Sequence, residues 1–209
     1  VGFSLSLSPE YPFRGVHDKI SFDRSNGQDV GQQEMLLHAA MNRYGGFSKY
    51  HDLGYLIAPS DQHSSGVEVQ MARYERLYCE EAYGDEGGDG TLFEYELVYP
   101  LTETVGGNPE GLKIPQEGGG VQGLDVSAYL GEDKEKYRHH FLIKNNRAQD
   151  NYAPIIRMTQ VLRMNGSAFA QAADQYLDVP SWLRAFAIGS AYGISDNWIS
   201  NSQHNALFY

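Results

Sequence analysis

The N-terminal third of the chain carries an ordered series of hydrophobic patterns, and this series constrains the fold most. Residues 3–8 and 17–23 alternate apolar and polar side chains, as half-buried strands do. Residues 32–44 are rich in helix formers and are followed by two glycines, which predicts a helix. Residues 53–58 and 67–72 are strand-like and flank a polar turn, which is typical of a β-hairpin. The patterns therefore predict an antiparallel sheet accompanied by one helix.

The rest of the chain is more helical in its patterning. Residues 74–83 predict a helix, and residues 92–99 and 141–143 predict two strands. Residues 150–164 and 179–192 predict two longer helices, of which the second is the more apolar. Together with the N-terminal pattern, this order predicts an α+β fold with a more helical C-terminal part.

One insert interrupts these patterns. Residues 102–124 have low hydrophobicity and contain several glycines, so we expect an exposed loop. Strong patterns resume on both sides, and a chain of 209 residues fits one sizeable core. We therefore expect a single domain over residues 1–209.

Charge and cysteine content narrow the function classes. The formal net charge of −11 repels phosphodiester backbones, so a general nucleic-acid binder is not expected. Cys79 is the only cysteine, so no internal disulfide can form. The sequence has no run of eighteen apolar residues, so no membrane span is expected.

The sequence contains a partial match to a calcium-binding loop. Asp85, Asp89, Gly90 and Glu96 match positions 1, 5, 6 and 12 of a calcium-binding loop. Gly87 occupies position 3, however, and a predicted strand follows, so we interpret the match as accidental.

Histidine spacing gives no metal motif either. His139 and His140 are adjacent, which on a strand directs them to opposite faces, and the remaining histidines are scattered. The sequence has no Walker loop and no Gly-x-Ser-x-Gly elbow, and Cys79 has no evident base beside it. Hydrolase chemistry through a nucleophile is therefore not expected.

Three segments carry a likeness to a known family through their order and spacing. The first combines residues 13–15 and 19–22 with the predicted helix at residues 32–44. The second leads from the predicted hairpin into residues 73–77, and the third comprises residues 141–152, with a Lys-Asn-Asn run followed by Asp-Asn-Tyr. This order resembles the CotH family of atypical kinases of bacterial spore coats. The resemblance implies a protein-kinase-like fold.

The resemblance also implies a catalytic loop near the C-terminus. A helix that opens at residues 177–179 is expected to run to Asp196, and Asn205 precedes an aromatic segment. Asp196 is the predicted catalytic base and Asn205 the predicted metal ligand. Asn201 is an alternative ligand, because five residues separate base and asparagine in ordinary protein kinases. The competing interpretation is that these side chains only cap a helix and form turns.

Two glutamates are further candidates for the cofactor site. Glu34 lies early in the first predicted helix, and the resemblance implies that it pairs with a strand lysine; an exposed helix carboxylate is the alternative. Glu75 matches the family glutamate after the hairpin, which would help to hold nucleotide or metal. A surface ion pair with Arg73 or Arg76 is the competing interpretation.

Two lysines complete the candidate set. Lys144, with Asn145 and Asn146, is predicted to line the nucleotide cleft, although a plain strand-to-helix turn also explains these residues. Lys19 could contact phosphate, but a solvated strand lysine is the favoured interpretation.

The resemblance implies transfer of the γ-phosphoryl group of ATP, with Mg²⁺, to a Ser or Thr hydroxyl of a surface or coat protein. It also implies an extracellular or cell-surface location. The family has a strand lysine near its start and a metal-binding aspartate after the catalytic loop. We expect this chain to be truncated at both ends, so that both residues lie outside it. The alternative is a non-catalytic, pseudokinase-like structural module of a bacterial surface assembly, and a weaker one is a calcium-dependent adhesion module.

Overall fold

The chain divides into two compact units, which comprise Val1–Gly88 and Asp89–Tyr209. A computed structural model describes residues 3–23, 32–60, 64–71, 74–95, 125–138, 140–193 and 205–209. Within these ranges the chain forms α-helices and antiparallel strands, so the α+β class predicted from the sequence is confirmed.

The first unit is built around a four-stranded antiparallel sheet with the strand order β1-β2-β4-β3. Helix α1 connects β2 to β3, and α2 follows β4. The elements are β1 (Phe3–Ser6), β2 (Lys19–Asp23), α1 (Gln32–Arg43), β3 (Tyr50–Leu56), β4 (Ser65–Met71) and α2 (Arg76–Tyr83).

Strand β4 lies in the middle of this sheet and is buried on both faces. Its apolar side chains alternate with polar ones, so one face contributes Val67, Val69 and Met71 to a small hydrophobic core that also contains Ile20 of β2. The opposite face carries Glu68 and Gln70, which are also buried. Because buried polar side chains need partners, this second face predicts a hydrogen-bonded cluster.

In its described residues the second unit contains a three-stranded antiparallel sheet, of order β6-β5-β7, and three α-helices. Its elements are β5 (Phe93–Tyr95), β6 (Phe141–Ile143), α3 (Ala153–Leu162), α4 (Gly166–Tyr176), α5 (Val179–Ala191) and β7 (Ala206–Phe208). Aromatic side chains dominate its core, and Phe141 contacts both Tyr95 and Phe208.

Local sequence signals explain where the helices of the second unit begin. Both α3 and α5 have a proline in the first turn, where the missing N–H leaves no helical hydrogen bond unmade. Asp178 caps α5 and accepts a hydrogen bond from the backbone N–H of Ser181, 3.2 Å away.

Most predicted elements exist, with boundaries shifted by a few residues. Strand β6 coincides with its predicted range, whereas the helix predicted for residues 150–164 is shorter. Helix α4 was not predicted from the sequence, and α5 ends at Ala191 rather than reaching Asp196. The predicted insert at residues 102–124 lies outside the described residues. Among the described helices, none has the length and apolar character that a membrane span requires.

Candidate functional site

An ion pair joins two of the residues singled out from the sequence. The Nζ atom of Lys19, on β2, lies 2.7 Å from Oε2 of Glu75, which precedes α2. Both side chains remain partly exposed, at 33% and 40%. Lys19 is therefore held by a carboxylate and remains one-third exposed on its strand. Arg76, the alternative partner of Glu75, is bonded to Glu80.

A second group of polar side chains forms where α1 lies against the polar face of β3 and β4. Glu34 and His38 are one turn apart on α1, with 3.5 Å between Oε1 of Glu34 and Nε2 of His38. The His38 ring stacks on the ring of His51 from β3, with centroids 4.1 Å apart. We call this group the Glu34–His38–His51 cluster.

The backbone near the cluster is fixed by further hydrogen bonds. The Asn42 side chain, on α1, accepts a hydrogen bond from the backbone N–H of Ser48, at 2.7 Å. The Ser48 hydroxyl in turn contacts Nδ1 of His38. These contacts hold the segment between α1 and β3 and so keep the His38 ring in place.

Residues of β4 support the cluster from the other side. Nδ1 of His51 contacts the carboxylate of Glu68, its diagonal neighbour on the adjacent strand. Nε2 of Gln70 donates to Oε1 of Glu34 at 3.4 Å, and Nζ of Lys49 donates to Oε1 of Gln70 at 2.9 Å.

Burial and hydrogen bonding set the charge of the cluster. Burial lowers the pKa of His38, so its ring is neutral at neutral pH. The hydrogen bond from His38 lowers the pKa of Glu34, which is therefore a carboxylate. A neutral imidazole beside a carboxylate is an arrangement that can accept a divalent cation.

Lys144, in the second unit, is engaged by a strand carboxylate. Its Nζ atom lies 2.7 Å from Oε2 of Glu94, on the neighbouring strand β5. The adjacent asparagines brace a loop, because the side-chain amides of Asn145 and Asn146 both donate to the carbonyl of Gly90, at 2.7 and 2.8 Å. This geometry fits the interpretation of the Lys-Asn-Asn run as a plain strand-to-helix turn.

Asn205 directly precedes strand β7, which pairs with β5. Its φ of 57° is left-handed, a conformation that asparagine adopts more readily than most residues. Asp196 and Asn201 lie outside the described residues. The predicted roles of these three residues stay predictions.

A surface cleft of about 530 Å³ opens beside α3. On its rim, Asp150 contacts Nζ of Lys134 at 2.5 Å and two guanidinium nitrogens of Arg138 at 2.6 and 3.0 Å. These bonds hold the pKa of the Asp150 carboxyl well below its ordinary value, with the hydrogen bond from Arg138 as the main cause. The cleft is lined by Glu132, Lys134, Asp150, Asn151, Tyr152, Ala153, Ile156, Arg157 and Gln160.

Cys79 is fully buried in α2. Burial raises the pKa of its thiol to about 11, so the thiolate is scarce at neutral pH. A buried thiol of this kind is a weak nucleophile.

The sequence indicates Glu34 and Glu75 as candidates and sets Lys19 aside, and it does not bring His38 and His51 to Glu34. The i,i+4 spacing of Glu34 and His38 on a predicted helix was a usable signal. His51 could not be added from spacing alone, because its proximity depends on how α1 packs against β3.

Comparisons with protein-family models, with curated proteins and with solved structures give no match for this chain.

Proposed function

We propose that this chain is part of a CotH-like atypical protein kinase. It transfers the γ-phosphoryl group of ATP, with Mg²⁺, to a Ser or Thr hydroxyl of a bacterial surface or coat protein. Asp196 is the catalytic base, and Asn205 or Asn201 is a metal ligand.

The order of elements in the first unit supports this proposal. The resemblance implies an antiparallel sheet with one helix inserted between strands, and α1 is inserted between β2 and β3. The second unit carries three helices in its described part, in keeping with the more helical C-terminal part that the resemblance implies.

The Lys19–Glu75 ion pair carries the proposal. Protein kinases hold a strand lysine with a glutamate, so that the ammonium group can contact the nucleotide phosphates. Lys19 is not the strand lysine that the resemblance implies near the family's start; it is a second lysine, on β2, and its glutamate follows β4 at the start of α2. Glu34, the candidate analogous to the helix glutamate, contacts His38 and Gln70 instead.

We propose that Lys19 is the residue that contacts the phosphates of an ATP–Mg²⁺ cofactor. The Lys19 ammonium group is fixed by one carboxylate and is one-third exposed, so a phosphate oxygen can reach it. Mg²⁺ neutralises phosphate charge when it is bound. A carboxylate at Asp196 would orient the attacking hydroxyl and accept its proton.

Exchange of the two charges tests the role of the ion pair. In the full-length protein, Lys19→Met removes one charge-assisted contact to phosphate, worth about 1.5–3 kcal/mol. The expected result is an affinity for ATP–Mg²⁺ that is lower by roughly 10- to 150-fold, measured by calorimetric titration. The double variant Lys19→Glu/Glu75→Lys restores an ion pair but moves the ammonium group off β2. We expect it to recover stability and not nucleotide affinity.

Lys136→Met is the matched control, because Lys136 is an exposed lysine of the second unit. It should bind ATP–Mg²⁺ like the wild type. Absence of ATP binding by the wild type, or recovery of full affinity in the charge-exchanged variant, would favour the non-catalytic surface module.

A further inference from the structure

We infer that the Glu34–His38–His51 cluster is a binding site for a divalent transition-metal cation of the Zn²⁺ class. This site is separate from the proposed Mg²⁺–nucleotide chemistry and does not depend on it. Mg²⁺ prefers oxygen ligands, whereas two imidazole nitrogens and one carboxylate oxygen are ligands typical of zinc.

The geometry of the ligand atoms favours coordination. One ligand atom from each of the three residues lies within 4.8 Å of the other two. In a tetrahedral zinc site, ligands about 2.0–2.1 Å from the metal are roughly 3.3 Å apart. The 3.5 Å between Oε1 of Glu34 and Nε2 of His38 is close to that separation, and the proton that Nε2 donates to Glu34 would pass to Nδ1 when the metal binds. Because the His38 and His51 rings are stacked, binding would also require the rings to turn until both lone pairs point at the ion.

The His51 ring is the strongest single sign of a ligand. Its side chain is only 2% exposed, and its Nε2 atom has no hydrogen-bond partner among the described residues. A carboxylate accepts hydrogen bonds and does not donate them, so the contact with Glu68 places the ring proton on Nδ1. Nε2 then presents a lone pair inside the unit, and an unsatisfied buried acceptor costs free energy unless something binds it.

Both histidines have the outer partners that metal-bound histidines usually have. The second nitrogen of His51 is held by Glu68, and that of His38 by the Ser48 hydroxyl. Such partners fix the tautomer and the ring orientation at metal sites. Ser48 and Glu68 are both buried, which limits exchange of these contacts with water.

Charge also favours a divalent cation. Glu34 and Glu68 contribute two carboxylates at neighbouring positions, and Lys49 is the nearby cation, bonded to Gln70. The two carboxylates would neutralise the charge of a divalent cation in the low-dielectric surroundings of His51. Glu34 is 34% exposed, so the cluster remains open to solvent on that side, and water can complete the coordination.

Metal titration of the full chain tests the site. Metal-free protein is titrated with Zn²⁺ in competition with a chromophoric chelator, and the visible absorption of bound Co²⁺ reports tetrahedral coordination. The wild type should bind one equivalent of Zn²⁺ at the Glu34–His38–His51 cluster. Glu68→Gln, which changes only a positioning residue, should weaken binding by roughly 10- to 100-fold. Glu34→Gln, His38→Gln and His51→Gln each remove a ligand and should weaken it more.

His17→Gln is the matched control. His17 belongs to the same unit and also has a buried ring nitrogen with no hydrogen-bond partner, but it lies outside the cluster. This variant should retain the bound equivalent. The inference would be overturned if the wild type failed to bind one equivalent of Zn²⁺. It would also be overturned if all three ligand variants bound Zn²⁺ with the affinity of the wild type. If His51→Gln does not fold, the more exposed Glu34→Gln and His38→Gln decide the outcome.

Discussion

Replacing Asp150 by asparagine should destabilise the second unit by an amount that the structure allows us to derive. Asp150 receives one hydrogen bond from Lys134 and two from Arg138. Its backbone is left-handed, with a φ of 48°, and asparagine tolerates this conformation as well as aspartate does. The substitution therefore changes the charge without adding backbone strain.

The expected loss is about 1–2 kcal/mol. The Lys134 pair is well exposed to solvent and is worth about 0.2–1 kcal/mol. The Arg138 pair is less exposed and is bidentate, so we expect roughly 1 kcal/mol more from it. Arg138 stays anchored by Glu135 in the variant, which limits any larger rearrangement. Asp150→Ala should lose a further ~1 kcal/mol, because alanine is strained in the left-handed region.

The loss should depend on pH in a defined direction. The Arg138 hydrogen bonds hold the folded-state pKa of Asp150 below its ordinary value of 3.8. The stabilisation is thus fully present above about pH 5 and decreases as the pH falls through 3.8 towards the lower folded-state pKa. The difference between wild type and Asp150→Asn should shrink accordingly between pH 7 and pH 3.

Urea unfolding followed by tryptophan fluorescence measures this difference, since both tryptophans, Trp182 and Trp198, belong to the second unit. High salt should reduce it as well, because the ion pairs are partly exposed. An equal difference at pH 3 and pH 7, or a loss below about 0.3 kcal/mol at pH 7, would refute the reasoning.

Two further substitutions test packing in each unit. A Cβ atom at Gly87 would clash with the Cys79 carbonyl and lie 2.9 Å from Cβ of Tyr83. Gly87→Ala should therefore lower the free energy of unfolding by about 1–3 kcal/mol. Gly66→Ala is the control, because a Cβ atom at Gly66 meets open space, and it should change the free energy of unfolding by less than ~1 kcal/mol. Equal losses in the two variants would contradict the packing argument. Phe141 is fully buried between Tyr95 and Phe208, so Phe141→Ala should cost about 3–5 kcal/mol in urea unfolding, and a loss under 1 kcal/mol would contradict its place in the core.

Much of the fold could be predicted because its signals are local. The alternation along β2 and β4 and the helix formers of α1 act over a few residues, and these elements exist. Helix α4 gave no comparable signal, because only Ala173 of its residues is buried and its apolar stripe is thin.

The candidate site was harder to predict because it depends on tertiary contacts. The polar face of β4 looks like an ordinary solvent-facing pattern in sequence, yet Glu68 and Gln70 are buried under α1 and its neighbours. The Lys19–Glu75 pair spans 56 positions, and no spacing rule connects residues so far apart. Both features follow from the pairing of β2, β3 and β4.

Phosphotransfer by the full-length protein tests the central proposal most directly. Incorporation of γ-phosphate from ATP–Mg²⁺ into a Ser- and Thr-containing protein substrate is compared among wild type, Asp196→Asn and the control Asp174→Asn, an identical change on the exposed side of α4. We expect a rate about a hundredfold lower or more in Asp196→Asn and an unchanged rate in Asp174→Asn. Equal rates in all three proteins, or no transfer by the wild type, would contradict it.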